Sequence, residues 1–565
     1  MRKYWGLLIV FVFSIGAIFP LLRPGFFPMH DNTQVVRIQQ MALALRDGQF
    51  PVRWVADLGY GFGYPIFNFY APLAYYVGGF WYLLGLDALL ATKLMFILGI
   101  LLSGFLMYLL AREFWGERGG ILSGLFYVYA PYHAVDIYVR GAVAEFWAMA
   151  FLPLVFYSFY KLFQKKKGIW VIIGGVSYAL VILSHNLTAM ILTPFLIAYL
   201  LLLIVISREG RKPFSLFFLY SFILGLGLAA FYWLPALFEM KLTKVFGQIG
   251  GGADWRNHFV FLDQLWASPW GFGGSAAGRL DGMSFMIGKL HLVFMALSLL
   301  TGIWLLRKKE RKASFVIFLS LCFFALSVFL TNQLSWPIWT AIPSLAFIQY
   351  PWRFLILATF AASLMAGSAA LWFKKKGTVF SFLFGGIVVL MLLLPNIKYF
   401  QPQFYLNVST SDYINEENIK WETSKISDEY LPKEFPVPEN RNEVAWGKVA
   451  VPEGEAEIKN LALKSHQSTF NIAGKTKAEI LVNIAYFPGW KVWVDGREAD
   501  FALEGGKIKI SPLPGDHQIS VRLTDTPIRT IANLISLVSW GILVGFMLRY
   551  NGWKSSIWRR LKSAR

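Results

Sequence analysis

Apolar runs long enough to cross a lipid bilayer recur along most of this chain, from Tyr4 to Leu394 and again from Ile528 to Leu548. A helix needs about 20 apolar residues to span roughly 30 Å of hydrocarbon. The composition agrees, since 56% of the 565 residues are hydrophobic and the mean hydropathy is +0.51. The runs predict a polytopic α-helical membrane protein with about twelve spanning helices.

Clusters of positive charge orient the predicted helices, because basic residues are enriched in cytoplasmic connections. The apolar stretch Leu73 to Leu86 would break the alternation of these clusters if it crossed the bilayer, so we interpret it as an interfacial or re-entrant helix. The pattern predicts that both termini are cytoplasmic. The clusters are Arg2 and Lys3, Arg112 to Arg118, Lys165 to Lys167, Arg208 to Lys212, Arg307 to Lys312, Lys374 to Lys376, and Lys554 to Arg565.

Composition divides the chain into three parts. Residues 1–395 form a predicted transmembrane domain, whose first external loop covers residues 21–88. Residues 396–526 are polar, and the alternation in AEILVNIAYF, WKVWVDG, KIKIS and HQISVRL predicts an outward-facing antiparallel β-sandwich. Residues 527–565 hold a last spanning helix and a basic cytoplasmic tail.

The net charge of +20 does not indicate nucleic-acid binding. Residues 396–526 carry 15 basic and 19 acidic side chains, so the positive excess lies in the membrane part, where topology accounts for it. The single cysteine, Cys322, excludes an intramolecular disulfide and any cysteine-rich metal site. The sequence therefore predicts no nucleic-acid partner.

Asp31 stands at the head of the first external loop, directly after His30. One interpretation is structural, because Asp31 precedes an apolar stripe and Gln34 follows three residues later, which is a capping-box pattern. The other is catalytic, since a carboxylate kept ionised near a helix N-terminus can act as a base. The two roles are compatible, and His30 is a candidate substrate contact beside it.

Further polar residues near the predicted outer surface are candidate substrate contacts. Arg53 and Asp57 lie in the same loop as Asp31, beside an aromatic run that fits an interfacial belt. Asp136 and Arg140 stand one helical turn apart, just ahead of Glu145. Ionisable groups are costly at such positions, so either a local ion pair or a substrate contact explains them.

His185 and Arg353 lie at the predicted outer ends of spans. His185, in SHNLTA, could hydrogen-bond a substrate or a neighbouring helix. Arg353, in QYPWR, opposes the usual charge bias of outer loops. An anionic phosphate would explain it, and snorkelling of the side chain to the interface is the alternative.

The order of these features resembles the GT-C membrane glycosyltransferases. More narrowly, HDNTQVVRIQQ, YVRGAVAE, SHNLTA and QYPWRF resemble the family of 6-pyruvoyl-tetrahydropterin synthase-related membrane proteins. YFPGWKVWVDG followed by PGDHQISVRL resembles the outer domain of YfhO-like proteins. Pterin synthesis itself is rejected, because that chemistry needs a histidine-bound zinc and the seven histidines here are scattered.

The GT-C resemblance implies transfer of a monosaccharide from a polyprenyl-phosphate carrier to a glycan, lipid or protein acceptor at the outer membrane face, with inversion. It implies that Asp31 is the catalytic carboxylate. Arg353, Arg140 and Arg53 are its candidates for the departing phosphate. A second acid is expected among Glu145 and Asp136, and His185 is expected to bind substrate. No metal is expected to be obligatory, although a divalent ion is compatible with this chemistry.

Two other functions are compatible with twelve spans and polar outer loops. One is a transporter or lipid flippase, and the other is a non-catalytic GT-C-fold scaffold for envelope polysaccharide assembly. Transporters usually place charges near mid-membrane in repeated halves. The sequence shows no internal repeat and its acidic candidates cluster at predicted outer ends, which favours the glycosyltransferase hypothesis.

Overall fold

A computed structural model describes residues 5–206, 211–248, 250–251, 253–373 and 378–563. The α-helices are, in chain order, α1 Trp5–Ile18, α2 Gln34–Arg46, α3 Ile66–Phe69, α4 Leu73–Leu83, α5 Ala88–Val128, α6 Pro131–Ala134, α7 Val143–Lys165, α8 Gly168–Ser184, α9 Asn186–Ile206, α10 Arg211–Leu228, α11 Ala230–Glu239, α12 Leu262–Trp266, α13 Lys289–Arg307, α14 Arg311–Thr331, α15 Trp336–Ala341, α16 Leu355–Ala366, α17 Ala370–Phe373, α18 Thr378–Asn396, α19 Thr410–Ile414, α20 Ser424–Ile426 and α21 Pro527–Ser563.

Parts of the basic clusters that orient the predicted helices lie outside the described residues. These parts are Arg2 and Lys3, Arg208, Lys374 to Lys376, and Arg565. The assignment of both termini to the cytoplasm stays a prediction.

Eight helices within the described ranges are long and apolar enough to cross a membrane, and there are nine if the pair bent by 70° between α10 and α11 is one span. Two shorter apolar helices, Gly168–Ser184 and Leu383–Tyr399, accompany them. The 41-residue α5 turns back at Gly116, where φ is 73°, a value that favours glycine. The multi-pass helical architecture is confirmed, whereas the count of twelve stays a prediction.

Residues 21–88 fold into a cap of three helices at one end of the bundle. The predicted stripe of α2 is buried, with Val35, Ile38 and Ala42 at most 2% exposed. The helix predicted over Leu73 to Leu86 is present as α4, Leu73–Leu83. It packs closely on α2, because Gly78 and its neighbour bring the two backbones together over Ile38.

The polar C-terminal region contains the predicted antiparallel sandwich. Its strands are β1 Val449–Glu453, β2 Ala456–Lys464, β3 Gln467–Gly474, β4 Glu479–Ala485, β5 Trp490–Val494, β6 Arg497–Ala499, β7 Ala502–Glu504, β8 Lys507–Ile510 and β9 Gly515–Leu523. One sheet has the order β1-β4-β8-β7 and the other β2-β3-β9-β5-β6. All four segments predicted from alternation form strands, and inward residues such as Ile480, Val482 and Val521 are fully buried.

Residues 397–446 differ from the β-rich region predicted there, because their described backbone forms short helices and no strand of either sheet. This segment pairs instead with loops of the membrane part. Leu406 forms an antiparallel bridge with Phe26, and Pro432 forms one with Thr243. The sandwich proper therefore begins at Val449.

A buried polar network fastens the last helix, α21, to the bundle. Glu239 at the end of α11 is 4% exposed and pairs with Arg529, which is 1% exposed, at 3.0 Å. The same carboxylate accepts hydrogen bonds from Asn68 at 2.7 Å and from Thr526 at 2.5 Å. A buried carboxylate with this many partners is stable only as a complete set.

Glu239→Gln and Arg529→Met are each expected to lower the free energy of unfolding by about 3–5 kcal/mol, because each leaves a buried charge without its partner. The double variant is expected to lose less than the sum of the two, since neither charge then remains. Thermal unfolding of the purified protein in detergent measures these effects. Additive losses in the double variant would contradict direct coupling of the pair.

Candidate active site

A cavity of about 470 Å³ lies where the loops that we predict to be external meet the helix ends. It brings together six of the nine residues selected from the sequence: His30, Asp31, Arg140, Glu145, His185 and Arg353. These residues come from four separate stretches of the chain. The fold thus brings together candidates that the sequence had selected only by residue type and predicted location.

The carboxylate of Asp31 faces this cavity without a protein partner. Helix α2 begins at Gln34 with Thr33 at its N-cap, and no side chain caps it, so the capping interpretation of Asp31 is wrong. Among the described residues, none donates a hydrogen bond to the Asp31 carboxylate or forms an ion pair with it. The group is therefore free to accept a proton from a bound molecule.

Backbone hydrogen bonds fix the position of Asp31. Its N–H donates to the carbonyl of Arg140 at 2.9 Å, and the N–H of His30 donates to that of Val139 at 3.1 Å. The His30 ring nitrogen Nε2 lies 3.1 Å from the carbonyl oxygen of Phe272. The backbone of Asp31 is thus hydrogen-bonded to the segment that carries Arg140.

Gln34 completes this attachment from the first turn of α2. Its amide nitrogen donates to the carbonyl oxygens of Gly141 at 2.7 Å and of Asp31 at 3.1 Å. The hydroxyl of Tyr75 donates to the Gln34 side-chain oxygen at 2.6 Å. Gln34 therefore acts as a positioning residue for the acid, a role different from the capping-box partner that the sequence suggested.

Glycine is required at position 141, where the segment of Asp31 meets the segment of Arg140. Its φ is 66°, in the left-handed region, and a Cβ atom there would lie 2.2 Å from the sulfur of Met29. Both the backbone conformation and the space therefore favour glycine.

Gly141→Ala is expected to lower the free energy of unfolding by about 1–3 kcal/mol, since it adds left-handed strain and a clash with Met29. Gly447→Ala is the matched control, because no atom lies within 4 Å of its Cβ position. Thermal unfolding in detergent compares the two. Equal melting temperatures would show that the Gly141 segment relaxes freely.

Glu145 holds two arginines side by side. Its Oε2 accepts a hydrogen bond from Arg140 at 2.9 Å and lies 3.5 Å from Nε of Arg353. Its other oxygen accepts a hydrogen bond from the Tyr132 hydroxyl. Asp136 also accepts a hydrogen bond from Arg140, behind the cavity wall, and its second oxygen is buried without a partner.

Burial and the nearby charge of Glu145 raise the pKa of Asp136 well above its ordinary value. Asp136 accepts a hydrogen bond from Arg140 outside the cavity, while Arg140 and Glu145 line the cavity itself.

Arg353 is fixed at the cavity wall. Its Nη1 donates to the carbonyl of Ile348 at 2.6 Å and to the side chain of Gln349 at 3.0 Å, and its side chain is only 11% exposed. The guanidinium lies 5.0 Å from the ring centre of Tyr350. Its Nε has no hydrogen-bond partner. A side chain held in this way does not extend to the surface, so snorkelling does not explain Arg353, and the phosphate interpretation stays a prediction.

His185 lines the cavity in a neutral state. Burial lowers its pKa to about 3, although the charge of Glu145 opposes the shift. Nδ1 of His185 lies 2.8 Å from the hydroxyl of Thr188. A neutral imidazole beside the arginines can hydrogen-bond a substrate without adding charge.

Several cavity residues escaped the sequence reasoning. Glu429 and Tyr430 come from the polar segment after α18, and Tyr350 and Trp352 form a stacked pair at 4.9 Å. No local pattern marks Glu429, whose position depends on Arg37 far away in sequence. The QYPWR motif does contain the stacked rings, and their spacing around a proline could have suggested a shared surface.

Buried Arg37 holds this wall in place. Its Nη2 donates to Ser427 at 2.6 Å, and the Ser427 hydroxyl donates to Glu429 at 3.1 Å. The Arg37 guanidinium also lies 4.6 Å from the ring centre of Tyr70, another cavity residue. Burial raises the pKa of Glu429, and the charge of Arg37 opposes that shift.

Three sequence candidates lie outside this cavity. Arg53 belongs to the network around α21, where it donates to Asn68 at 2.8 Å and to Asn533 at 2.7 Å. Burial and the nearby charge of Arg529 lower the pKa of Arg53 to about 10. Asp57 accepts a hydrogen bond from Gln40 at 3.0 Å and lines a separate cavity of about 260 Å³ beside the sandwich.

The third, Asp136, sits fully buried behind Arg140. In the part of the chain that the structure describes, no three side chains of His, Cys, Asp or Glu form a group that could hold a metal ion. Metal dependence stays a prediction.

Residues 67–246 match the model of the 6-pyruvoyl-tetrahydropterin synthase related domain, described as a membrane protein. This confirms the family predicted from the sequence over those residues. An uncharacterised protein of Lactococcus lactis subsp. cremoris (strain MG1363) is 28% identical over 243 residues, which are 41% of this chain and 39% of that relative. The match thus spans about two fifths of the relative.

Solved structures with similar folds include the oligosaccharyltransferase of Archaeoglobus fulgidus in the apo form, with a TM-score of 0.49 and 13% identity over 78% of this chain and 61% of that one. ArnT from Cupriavidus metallidurans bound to undecaprenyl phosphate has a TM-score of 0.41 and 14% identity over 69% and 64%. The mycobacterial arabinofuranosyltransferase AftD has a TM-score of 0.40 and 14% identity over 72% and 28%.

Proposed function

We propose that this protein is a membrane glycosyltransferase of the GT-C type. It moves a monosaccharide from a polyprenyl-phosphate carrier to an acceptor hydroxyl on a glycan, lipid or protein at the outer face of the cell membrane. The observation that supports this most directly is the unpartnered carboxylate of Asp31 in the same cavity as two adjacent arginines.

The proposed reaction is a single displacement. The acceptor oxygen forms a bond to the anomeric carbon while the bond from that carbon to the carrier phosphate breaks, so the configuration inverts. The acceptor proton passes to the carboxylate of Asp31, and the phosphate leaves with the electron pair. A base must lie about 2.6–3.2 Å from the oxygen it deprotonates. Because Asp31 has no protein partner in the described structure, it can approach that oxygen.

The departing phosphate needs positive charge, and Arg140 and Arg353 are the groups proposed to supply it. Two guanidinium groups placed side by side repel each other, and Glu145 between them offsets that repulsion. Planar guanidinium groups bind phosphate oxygens in pairs, which fixes the leaving group as well as stabilising it. The stacked rings of Tyr350 and Trp352 offer an apolar surface beside them.

Asp31→Asn is expected to reduce transfer about 10²- to 10⁴-fold, because an amide cannot accept the acceptor proton. The assay follows release of polyprenyl phosphate from a radiolabelled polyprenyl-phosphate sugar by full-length protein in liposomes. Asp263→Asn is the control, since it removes an exposed carboxylate outside the cavity. Full transfer by Asp31→Asn at equal folded amounts would remove Asp31 from the reaction, and sugar-lipid translocation without transfer would indicate a flippase.

Arg353→Gln is expected to lower kcat/KM about 10²-fold or more, since charge developing on the phosphate loses a fixed donor. Arg353→Lys should recover part of this loss, because an ammonium keeps the charge but not the paired geometry. Steady-state kinetics with the same donor measure both variants. Identical kinetics for Arg353→Gln and the unmodified protein would exclude contact between Arg353 and the phosphate.

A further inference from the structure

A second cavity, about 660 Å³ in volume, opens at the same end of the helix bundle. It lies between the start of α13 and the end of α18, with Lys289 on one side and Lys398 on the other. The loop between α12 and α13 separates it from the first cavity. Trp270 of this loop lines the second cavity, while the carbonyl oxygen of nearby Phe272 contacts His30 in the first.

The two lysines have no anionic partner in the part of the chain that the structure describes. Neither forms a hydrogen bond or ion pair there, and no carboxylate lines the cavity. Each lies near an aromatic ring, with Nζ of Lys289 5.8 Å from the Trp266 ring centre and Nζ of Lys398 5.2 Å from that of Tyr399. The cavity is thus positively charged without internal compensation.

Both lysines stand at the boundary between apolar and polar structure. One candidate span starts at Lys289, and a shorter apolar helix ends at Tyr399. Along α18, side chains including Ile387, Leu390 and Leu394 are 55–74% exposed. They form an apolar surface that leads away from the cavity. A membrane would place lipid chains along this surface and lipid head groups beside the lysines.

Two aromatic side chains, Trp270 and Tyr399, also line the cavity. The rings of Trp270 and Tyr399 lie 4.5 Å apart with an angle of 32° between them. Indole and phenol rings of this kind concentrate at the level of lipid head groups. The Nε1 of Trp270 is buried without a hydrogen-bond partner.

We infer that this second cavity binds the phosphate of an anionic membrane lipid. Lys289 and Lys398 supply the charge, the rings of Trp270 and Tyr399 line the site, and the exposed face of α18 accepts the acyl chains. The inference does not depend on the proposed transfer reaction. A lipid held here would have its head group beside the loop that contacts His30.

Native mass spectrometry of the full-length protein in detergent tests this, with dioleoylphosphatidylglycerol and dioleoylphosphatidylcholine as the two lipids. The unmodified protein is expected to bind the anionic lipid more tightly. Lys289→Gln/Lys398→Gln is expected to weaken that binding roughly 10- to 30-fold, because each of the two lysines near an anionic head group contributes about three- to fivefold. Lys459→Gln/Lys491→Gln, which removes two exposed lysines from the sandwich, is the matched control.

Three results would overturn the inference. The first is equal affinity for the two lipids in the unmodified protein. The second is unchanged binding by Lys289→Gln/Lys398→Gln, or a loss that the sandwich control shares. The third is complete displacement of the lipid by inorganic phosphate, which would show a site for free phosphate instead. Retained binding by Arg353→Gln is expected, since that residue lies in the other cavity.

Discussion

The cavity depends on one carboxylate, Glu145, that binds two arginines at once. Without it, Arg140 and Arg353 would repel each other across a poorly solvated wall, where charges interact strongly. With it, the two cations stay adjacent and still offer guanidinium groups to a ligand. The hydroxyl of Tyr132 donates a hydrogen bond to the other oxygen of Glu145, and Asp136 accepts one from Arg140.

The acid and the cations are held by different means. Asp31 is positioned through its backbone, bonded to the carbonyl of Arg140 and supported by Gln34, and this leaves its carboxylate free. The arginines are positioned through their side chains, which donate hydrogen bonds to Glu145 and to the carbonyl of Ile348 and keep further N–H groups for a ligand. This division suits a base that must gain a proton and cations that must stay in place.

Sequence reasoning predicted the helical membrane architecture, the strands of the sandwich and six of the residues that line the cavity. It succeeded where a residue type is unusual for its predicted location, as with the positive charge of Arg353 at a predicted outer helix end. It made Arg53 a candidate for the phosphate because that residue was predicted to lie outside, and the local sequence does not reveal the buried network around α21 that Arg53 joins instead. It missed Glu429 because that residue reaches the cavity only through the pairing of Arg37 with Ser427, 390 residues apart.

The segment between α18 and the sandwich belongs structurally to the membrane part, although its composition resembles that of the polar region. Residues 426–430 close the cavity, although they belong by polarity to the outer region. A fragment ending at 395 would keep most of the apolar helices, yet it would leave Arg37 without Ser427 and the cavity without a wall. The smallest piece that keeps the cavity complete therefore extends into the polar region, and an exchange of polar regions between relatives would also exchange part of the cavity wall.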